Sequence, residues 1–268
     1  RISLSGQQRT SVDRIANTIL SPLAKDAGLN EAELERGILI LNDLPGIKAT
    51  VTVEPGGEAE TARLLAQVKE GPLFRGSVTL DNAGNRYTGA LRTGLNVYAD
   101  NLTGQGDQAV MQASKSVNGD FSYGRIAYTR PIGYSGLVLG LSAFTVDYTS
   151  GKELESLDAK GDAESFVFSA QYPLIRSRTT NLALTSAYEQ RLVSSDALGI
   201  PVTDKRFDVS TIGLSGDHND AWMGGGVTGA GVTLTHGRLD LDRLPGALAA
   251  DQGINGPRTQ GEYAKLNI

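Results

Sequence analysis

From Phe74 onward the chain repeats one pattern many times: apolar and polar residues alternate with a period of two, and no stretch sustains the period of a helix. Leu91, Thr93, Leu95, Val97 and Ala99 alternate with Arg92, Gly94, Asn96, Tyr98 and Asp100. Phe166, Phe168, Ala170 and Tyr172 alternate with Ser165, Val167, Ser169 and Gln171. The same holds for Leu182, Leu184 and Tyr188 against Thr185, Glu189 and Arg191, and for Ala230, Val232 and Leu234 against Gly229, Gly231 and Thr233. Successive side chains of a strand point to opposite faces, so these segments predict a sheet with one apolar and one polar face. About ten such segments follow one another, each near the roughly 9–11 residues with which a tilted strand crosses a membrane.

Connection lengths narrow the choice. Residues 131–136 and 175–181 are short connections, 149–163, 193–205 and 238–260 long ones, and 217–225 intermediate. Tight turns on one side and longer loops on the other are the rhythm of an antiparallel transmembrane β-barrel rather than of a soluble sandwich. Tyr134, Tyr172 and Trp222 fall at or near the short-turn side, where an aromatic girdle is expected.

The first 72 residues read differently. Val12, Ile15, Ala16, Ile19, Leu20 and Leu23 recur at helical spacing, with Thr10 and Asp13 offering a cap. A second helix starts at Asn30 with Glu33 in capping-box position and Leu29 and Leu34 at the staple positions, runs over Leu34, Ile38 and Leu41, and stops at Leu44-Pro45-Gly46. Short strands are expected at Ile2 and Leu4, at 48–53, and at 62–68 after the turn Pro55-Gly56-Gly57. The order β-α-α-β-β predicts a compact α+β module, two helices covering one face of a three-stranded sheet while Thr50, Thr52 and Gln67 stay wet on the other.

Several function classes are disfavoured by composition. A net charge of −5 without a clustered basic face argues against nucleic-acid binding. With no cysteine there is no thiolate metal site and no cysteine nucleophile. The longest aliphatic run, Ile38-Leu39-Ile40-Leu41, is far short of the roughly 18 residues of a spanning helix. The chain opens on Arg1-Ile2-Ser3-Leu4 without Met or an apolar leader, so a signal peptide is expected outside it and the chain is expected to be a fragment. His218 and His236 are the only histidines and lack zinc-ligand spacing; the run Asp217-His218-Asn219-Asp220 reads as a turn. Asp240 and Asp242 resemble a loose calcium-ligand run but read better as a solvated outer loop. No carboxylate pair is singled out for glycoside hydrolysis. No cofactor, metal site or enzymatic activity is expected.

Four stretches together resemble the two-partner secretion transporters, the ShlB/FhaC/HecB haemolysin secretion/activation family. Leu34-Glu35-Arg36 through Asn42-Asp43-Leu44-Pro45-Gly46, then Pro55-Gly56, is similar to the second helix and hairpin of that family's membrane-proximal POTRA domain. Asp81-Asn82-Ala83-Gly84-Asn85-Arg86-Tyr87-Thr88-Gly89 resembles the first barrel hairpin, Asn101-Leu102-Thr103-Gly104-Gln105-Gly106-Asp107 the first periplasmic turn, and 128–136 the second. The family barrel has about 16 strands, so the resemblance implies a POTRA domain at 1–72 followed at 73–268 by the amino-terminal part of the barrel. It also implies that the signal peptide, plug helix, first POTRA domain, pore loop and last strands lie outside this chain.

The resemblance further implies a bacterial outer-membrane protein, monomeric when complete and embedded in lipid, with POTRA in the periplasm. Its partner would be a secreted haemolysin- or adhesin-like exoprotein, unfolded and recognised through its N-terminal secretion domain. No nucleotide-binding pattern is present, and none is needed for such export. Strand addition is the natural way to bind an extended client, which makes Lys48, Ala49, Thr50, Val51, Thr52 and Val53 the candidate edge, with Ile15, Ile19 and Leu23 flooring or flanking the groove. For any single one of these residues the plain reading as sheet and core is the stronger one. Arg92, Asn96, Arg125, Glu189 and Arg191 fall on faces assigned to the lumen. Asp81, Asn82, Gly84, Thr88 and Gly89 are expected to shape a tight turn without touching a client. Two other classes stay open: an outer-membrane insertase or assembly factor with the same POTRA-plus-barrel plan, and a soluble all-β carbohydrate-binding or carbohydrate-active protein that folds without detergent.

Overall fold

The computed structural model describes residues 2–25, 30–58, 61–221 and 224–268. The chain begins with β1 (Ile2–Ser5), α1 (Val12–Leu20), a 3₁₀ turn (Ser21–Lys25), α2 (Glu31–Asn42), β2 (Ile47–Pro55) and β3 (Ala62–Glu70). The three strands form one sheet in the order β1-β3-β2, with β1 parallel and β2 antiparallel to the central β3. Asn30 caps α2 by accepting the Ala32 N–H at 3.0 Å, and the helix ends ahead of Leu44-Pro45-Gly46, where Gly46 takes φ +71°. Ser11 caps α1 instead of Thr10: its hydroxyl accepts the Arg14 N–H, while the Thr10 hydroxyl is committed to Glu70. Leu23 lies beyond α1 in the 3₁₀ turn. Leu29, the expected staple residue, lies outside the described residues.

Both helices cover one face of this sheet. Ile15, Ile19, Leu34, Leu41, Leu44, Ile47, Ala49, Leu64, Ala66 and Val68 form the buried cluster, and Thr50, Thr52 and Gln67 are exposed on the opposite face. The helices cross at Gly37, where a Cβ would stand 2.8 Å from the Ile19 carbonyl oxygen. At the end of β3 the Glu70 carboxylate, 3% exposed, accepts the backbone N–H groups of Gln8, Arg9 and Thr10 at 2.9–3.0 Å and so fastens the β1–α1 connection. Burial alone would raise its pKa; these bonds overcome that and hold it at about 2.

A second sheet follows: β4 (Phe74–Asp81), β5 (Arg92–Asp100), β6 (Gln108–Ser116), β7 (Phe121–Ile132), β8 (Leu137–Thr149), β9 (Lys160–Arg176), β10 (Thr180–Ala197), β11 (Ile200–Asp220), β12 (Gly226–Asp240) and β13 (Gly261–Asn267). Its ten strands pair antiparallel in chain order, leaving β4 and β13 as the two edges of an open sheet. Residues 193–205, expected as a long loop, are instead strand on both sides of a two-residue turn, Leu198-Gly199, with φ +54° and +71°. Positive φ at both central residues matches the twist of paired strands. The charges of Asp196, Asp204 and Lys205 broke the apolar alternation, yet strands that reach past an apolar belt need no apolar face. β10 and β11 therefore run to 18 and 21 residues.

The other connections also shift. The long loop 149–163 narrows to 150–159, and the turn between β6 and β7 is short although it lies on the long-loop side. His218 sits within β11 rather than in a turn, and Trp222 lies outside the described residues. The loop after β12 contains a helix, α3 (Pro245–Gln252), that no periodicity announced. The stretch 81–89, expected as a tight turn, falls in a ten-residue connection, 82–91, between β4 and β5. In it Asp81 accepts the Ala83 N–H at 3.0 Å, the Gly84 N–H donates to the Ala90 carbonyl at 2.9 Å, and Gly89 takes φ +100°.

Candidate functional site

Strand register sorts the long sheet into two unlike faces. Pairing aligns Met111, Ile126, Ala143 and Phe166 in one row, Leu141, Phe168 and Tyr188 in the next, and Ile212, Leu234 and Leu266 in another, all on one face. Apart from Ala143, every one of these is a large side chain left exposed by the fold.

On the opposite face, register lines up Ser77, Asn96, Gln112, Arg125, Phe144, Ser165 and Arg191 across seven consecutive strands. Hydrogen bonds run along this row: Asn96 donates to Ser77 at 3.4 Å, Gln112 to Asn96 at 3.1 Å, and Arg125 to Gln112 at 3.2 Å. Farther on, Arg191 donates twice to Glu189 at 2.6 and 2.8 Å, Ser165 donates to Glu189 at 2.7 Å, and the Arg191 guanidinium lies 5.8 Å from the Phe144 ring centre. The five residues assigned from sequence to the lumen thus share one face. Arg92 is bonded to Thr88 and Gly89 and stacked 3.7 Å over Phe121, so it also holds the β4–β5 connection.

The α/β unit docks on the turns at one end of this sheet. The Ser11 N–H donates to the Gly104 carbonyl at 2.9 Å, and Asn101 donates to the Thr10 hydroxyl at 2.8 Å. Asn101 and Asp107 are fully buried and brace their own turn: Asn101 accepts the Gly106 N–H, and Asp107 accepts Thr103 and the Tyr128 hydroxyl. Arg14, 6% exposed, reaches the carbonyls of Gly133 and Pro131 and the Gln105 side chain, with its guanidinium 5.1 Å from the Tyr134 ring. Tyr134 is therefore a docking contact as well as an aromatic at the short-turn side. From α2, Arg36 donates to the carbonyls of Pro173 and Leu174, Asp43 takes a bidentate pair from Arg176 at 2.7 Å, and Glu35 pairs with Arg178 at 2.9 Å. The sequence marked none of these residues for docking, because a charged residue on the solvent stripe of a helix looks the same whether it meets water or a turn.

The predicted client strand β2 is an edge of its sheet, since β3 occupies the centre. Ile15 and Ile19, expected to floor or flank its groove, are wholly buried, and the helix packed on β2 is α2; they are core and unavailable to a client. Leu23 is half-buried against the same core. The residue that does stand beside the edge is Asn42, the last of α2. Its carboxamide accepts the Ala49 N–H at 2.8 Å and donates to the Ala49 carbonyl at 3.0 Å. A polar residue closing the apolar run 38–41 was the available signal. Among the described residues no group of three or more His, Asp or Glu is placed to hold a metal. His218 contacts Thr180 at 2.8 Å, and Asp240 and Asp242 are taken up by bonds to the Asp242 N–H and Gln260.

An antiparallel ten-stranded sheet, apolar on one face and polar on the other, with an α/β unit docked on its turns, defines an outer-membrane protein of the β-barrel type. Residues 60–266 match the haemolysin secretion/activation protein ShlB/FhaC/HecB, and the chain belongs to that family of outer-membrane two-partner secretion transporters. It is 29% identical over 213 residues to the heme/hemopexin transporter protein HuxB of Haemophilus influenzae strain 86-028NP, covering 78% of this chain and 36% of that one. It is 24% identical over 202 residues to the outer membrane transporter CdiB of Dickeya dadantii, covering 74% and 36%. The chain thus spans about a third of the length of these relatives. In fold it resembles the solved CdiB from Escherichia coli, with a TM-score of 0.76 at 18% identity over 99% of this chain and 49% of that one. The corresponding values for CdiB from Acinetobacter baumannii are 0.66, 16%, 89% and 47%. Family membership agrees with the first of the classes left open by the sequence, the haemolysin secretion/activation family.

Proposed function

We propose that the protein is an outer-membrane transporter of two-partner secretion. In this reading residues 1–72 are a periplasmic POTRA domain that recognises an unfolded exoprotein of haemolysin or adhesin type, and residues 73–268 are part of the barrel wall along which that exoprotein passes. The observation that carries it is the register of the long sheet, which gathers Arg92, Asn96, Arg125, Glu189 and Arg191 on the face opposite the exposed apolar rows. An unfolded chain in transit carries unpaired backbone groups and needs a hydrated, hydrogen-bonding conduit; a polar wall supplies one. The docked turns hold POTRA at the mouth of that conduit, and the edge of β2 offers backbone groups to an extended client. Folding of the exoprotein outside the cell would bias its motion without nucleotide hydrolysis.

Disrupting the gene that encodes this chain tests the proposal. The expected result is a large exoprotein lost from the medium and held in the periplasm, with export restored by the intact gene but not by one lacking residues 1–72. An unchanged set of secreted proteins after disruption refutes the transport role. Restoration without residues 1–72 refutes the role given to POTRA.

A further inference from the structure

Which backbone groups of β2 remain open to a client follows from its pairing. Asn42 bonds both the N–H and the C=O of Ala49, so these groups point away from β3. In an antiparallel pair that orientation recurs at every second residue, and Ile47, Ala49, Val51, Val53 and Pro55 therefore turn their polar groups outward. The row is not uniform. The Ile47 N–H is taken by the Leu44 carbonyl at 3.2 Å, Ala49 is taken by Asn42, and Pro55 has no N–H to give. Among the described residues, no bond reaches the outward groups of Val51 or Val53.

We propose that Asn42 sets where a client strand can pair. Its carboxamide stands in for a neighbouring strand at Ala49, so an added strand engages Val51 and Val53 and is stopped by Asn42 at one end and Pro55 at the other. This rests on reading β2 as the capture edge. The partner it fits is an extended, unfolded polypeptide segment, not a folded edge: only two residues of β2 are open, and bonding both takes a stretch of about three residues. Side chains of such a segment on the helix side lie beside Val51, half-buried, and Val53, 46% exposed, which favours apolar residues there. On the other side they lie beside exposed Thr50 and Thr52, which favours polar ones. A window this narrow holds any one segment weakly, as a client that must move onward requires.

Amide hydrogen exchange on the full chain in detergent tests this, with an acetylated, amidated Thr-Val-Thr-Val-Thr peptide as probe. Without peptide, the Ala49 amide is expected to exchange slowly in the wild type and about tenfold faster in Asn42→Ala. Asn42→Asp, which keeps the acceptor for that N–H, is expected to keep it slow. Peptide at twice its dissociation constant is expected to slow Val51 and Val53 about threefold in every version, and to slow Ala49 only in Asn42→Ala. Equal Ala49 exchange in wild type and Asn42→Ala overturns the proposal, as does peptide protection of Ala49 in the wild type or its absence in Asn42→Ala. Peptide that leaves Val51 and Val53 unaffected removes the capture edge itself and the proposal with it, a failure distinct from that of Asn42 alone.

Discussion

Docking of the α/β unit onto the long sheet combines two kinds of contact that differ in energetic weight. Asp43–Arg176 and Glu35–Arg178 are solvent-accessible ion pairs, with side-chain exposures of 47% and 24% in the first and 26% and 81% in the second. Screened pairs of this kind contribute about 0–1 kcal/mol each. Arg14 is different: it is buried, and its guanidinium serves the Gly133 and Pro131 carbonyls and Gln105. Arg14→Ala removes the buried charged donor of three acceptors, of which the Pro131 carbonyl is itself buried and Gly133 and Gln105 are more open, and such charged hydrogen bonds are worth about 1.5–3 kcal/mol each. Allowing for water entering the space, the expected loss is about 3 kcal/mol, or about 150-fold in the docking equilibrium. Exchange of the Ser11 amide, bonded across the interface to Gly104, reads that equilibrium. The Thr10 amide, bonded within the unit to Glu70, separates undocking from unfolding. Ser11 is expected to exchange about 150-fold faster in Arg14→Ala, no more than about fivefold faster in Asp43→Asn, and Thr10 at its wild-type rate in both. Arg14→Lys, a point charge that cannot fork between two carbonyls, is expected to recover only part of the loss. Less than a tenfold effect of Arg14→Ala, or an equal effect of Asp43→Asn, would refute the assignment of docking strength to buried arginine.

Two further substitutions test the α/β unit itself. Glu70 titrates at about 2 when folded against 4.5 unpaired, so its bonds add about 3 kcal/mol that is fully present above pH 4.5 and lost as pH falls toward 2. Denaturation of Glu70→Gln followed by helical circular dichroism should be weaker at neutral pH and lack that slope between pH 5 and 2; a retained slope assigns it to another group. Gly37→Ala adds a Cβ 2.8 Å from the Ile19 carbonyl oxygen and 2.9 Å from that of Thr18, and should destabilise the same transition by about 1–3 kcal/mol although alanine is the better helix former. A more stable Gly37→Ala protein would mean that α1 and α2 are free to separate.

Much of the architecture was legible because its causes are local. The Asn30 cap, the stop at Leu44-Pro45-Gly46 and the alternation of β5 and β9 each depend on residues within a few positions of one another, and the structure has them where the sequence puts them. The misreadings occur where a distant partner decides. Thr10 looked like a helix cap but is claimed by Glu70, 60 positions away. Residues 193–205 looked like a loop by their charges but are held as strand by pairing with each other and with β9. Ile15 and Ile19 had the right pattern for a helix face, but pattern does not say whether α1 or α2 lies beside β2.

Sequence by itself determined the α/β unit, the count of about ten alternating strands and the side of each strand on which Arg92, Asn96, Arg125, Glu189 and Arg191 fall, because side-chain direction along a strand has a fixed short period. Tertiary structure alone decided which charges work. Arg14 meets Gly133 across 119 positions and Asp43 meets Arg176 across 133, while Asn42 turns back onto Ala49 only once α2 has packed on β2. Such meetings depend on how whole elements stack. A charge set for docking and a charge set for water carry the same local signature, and burial, which distinguishes them, exists only after the chain has closed on itself.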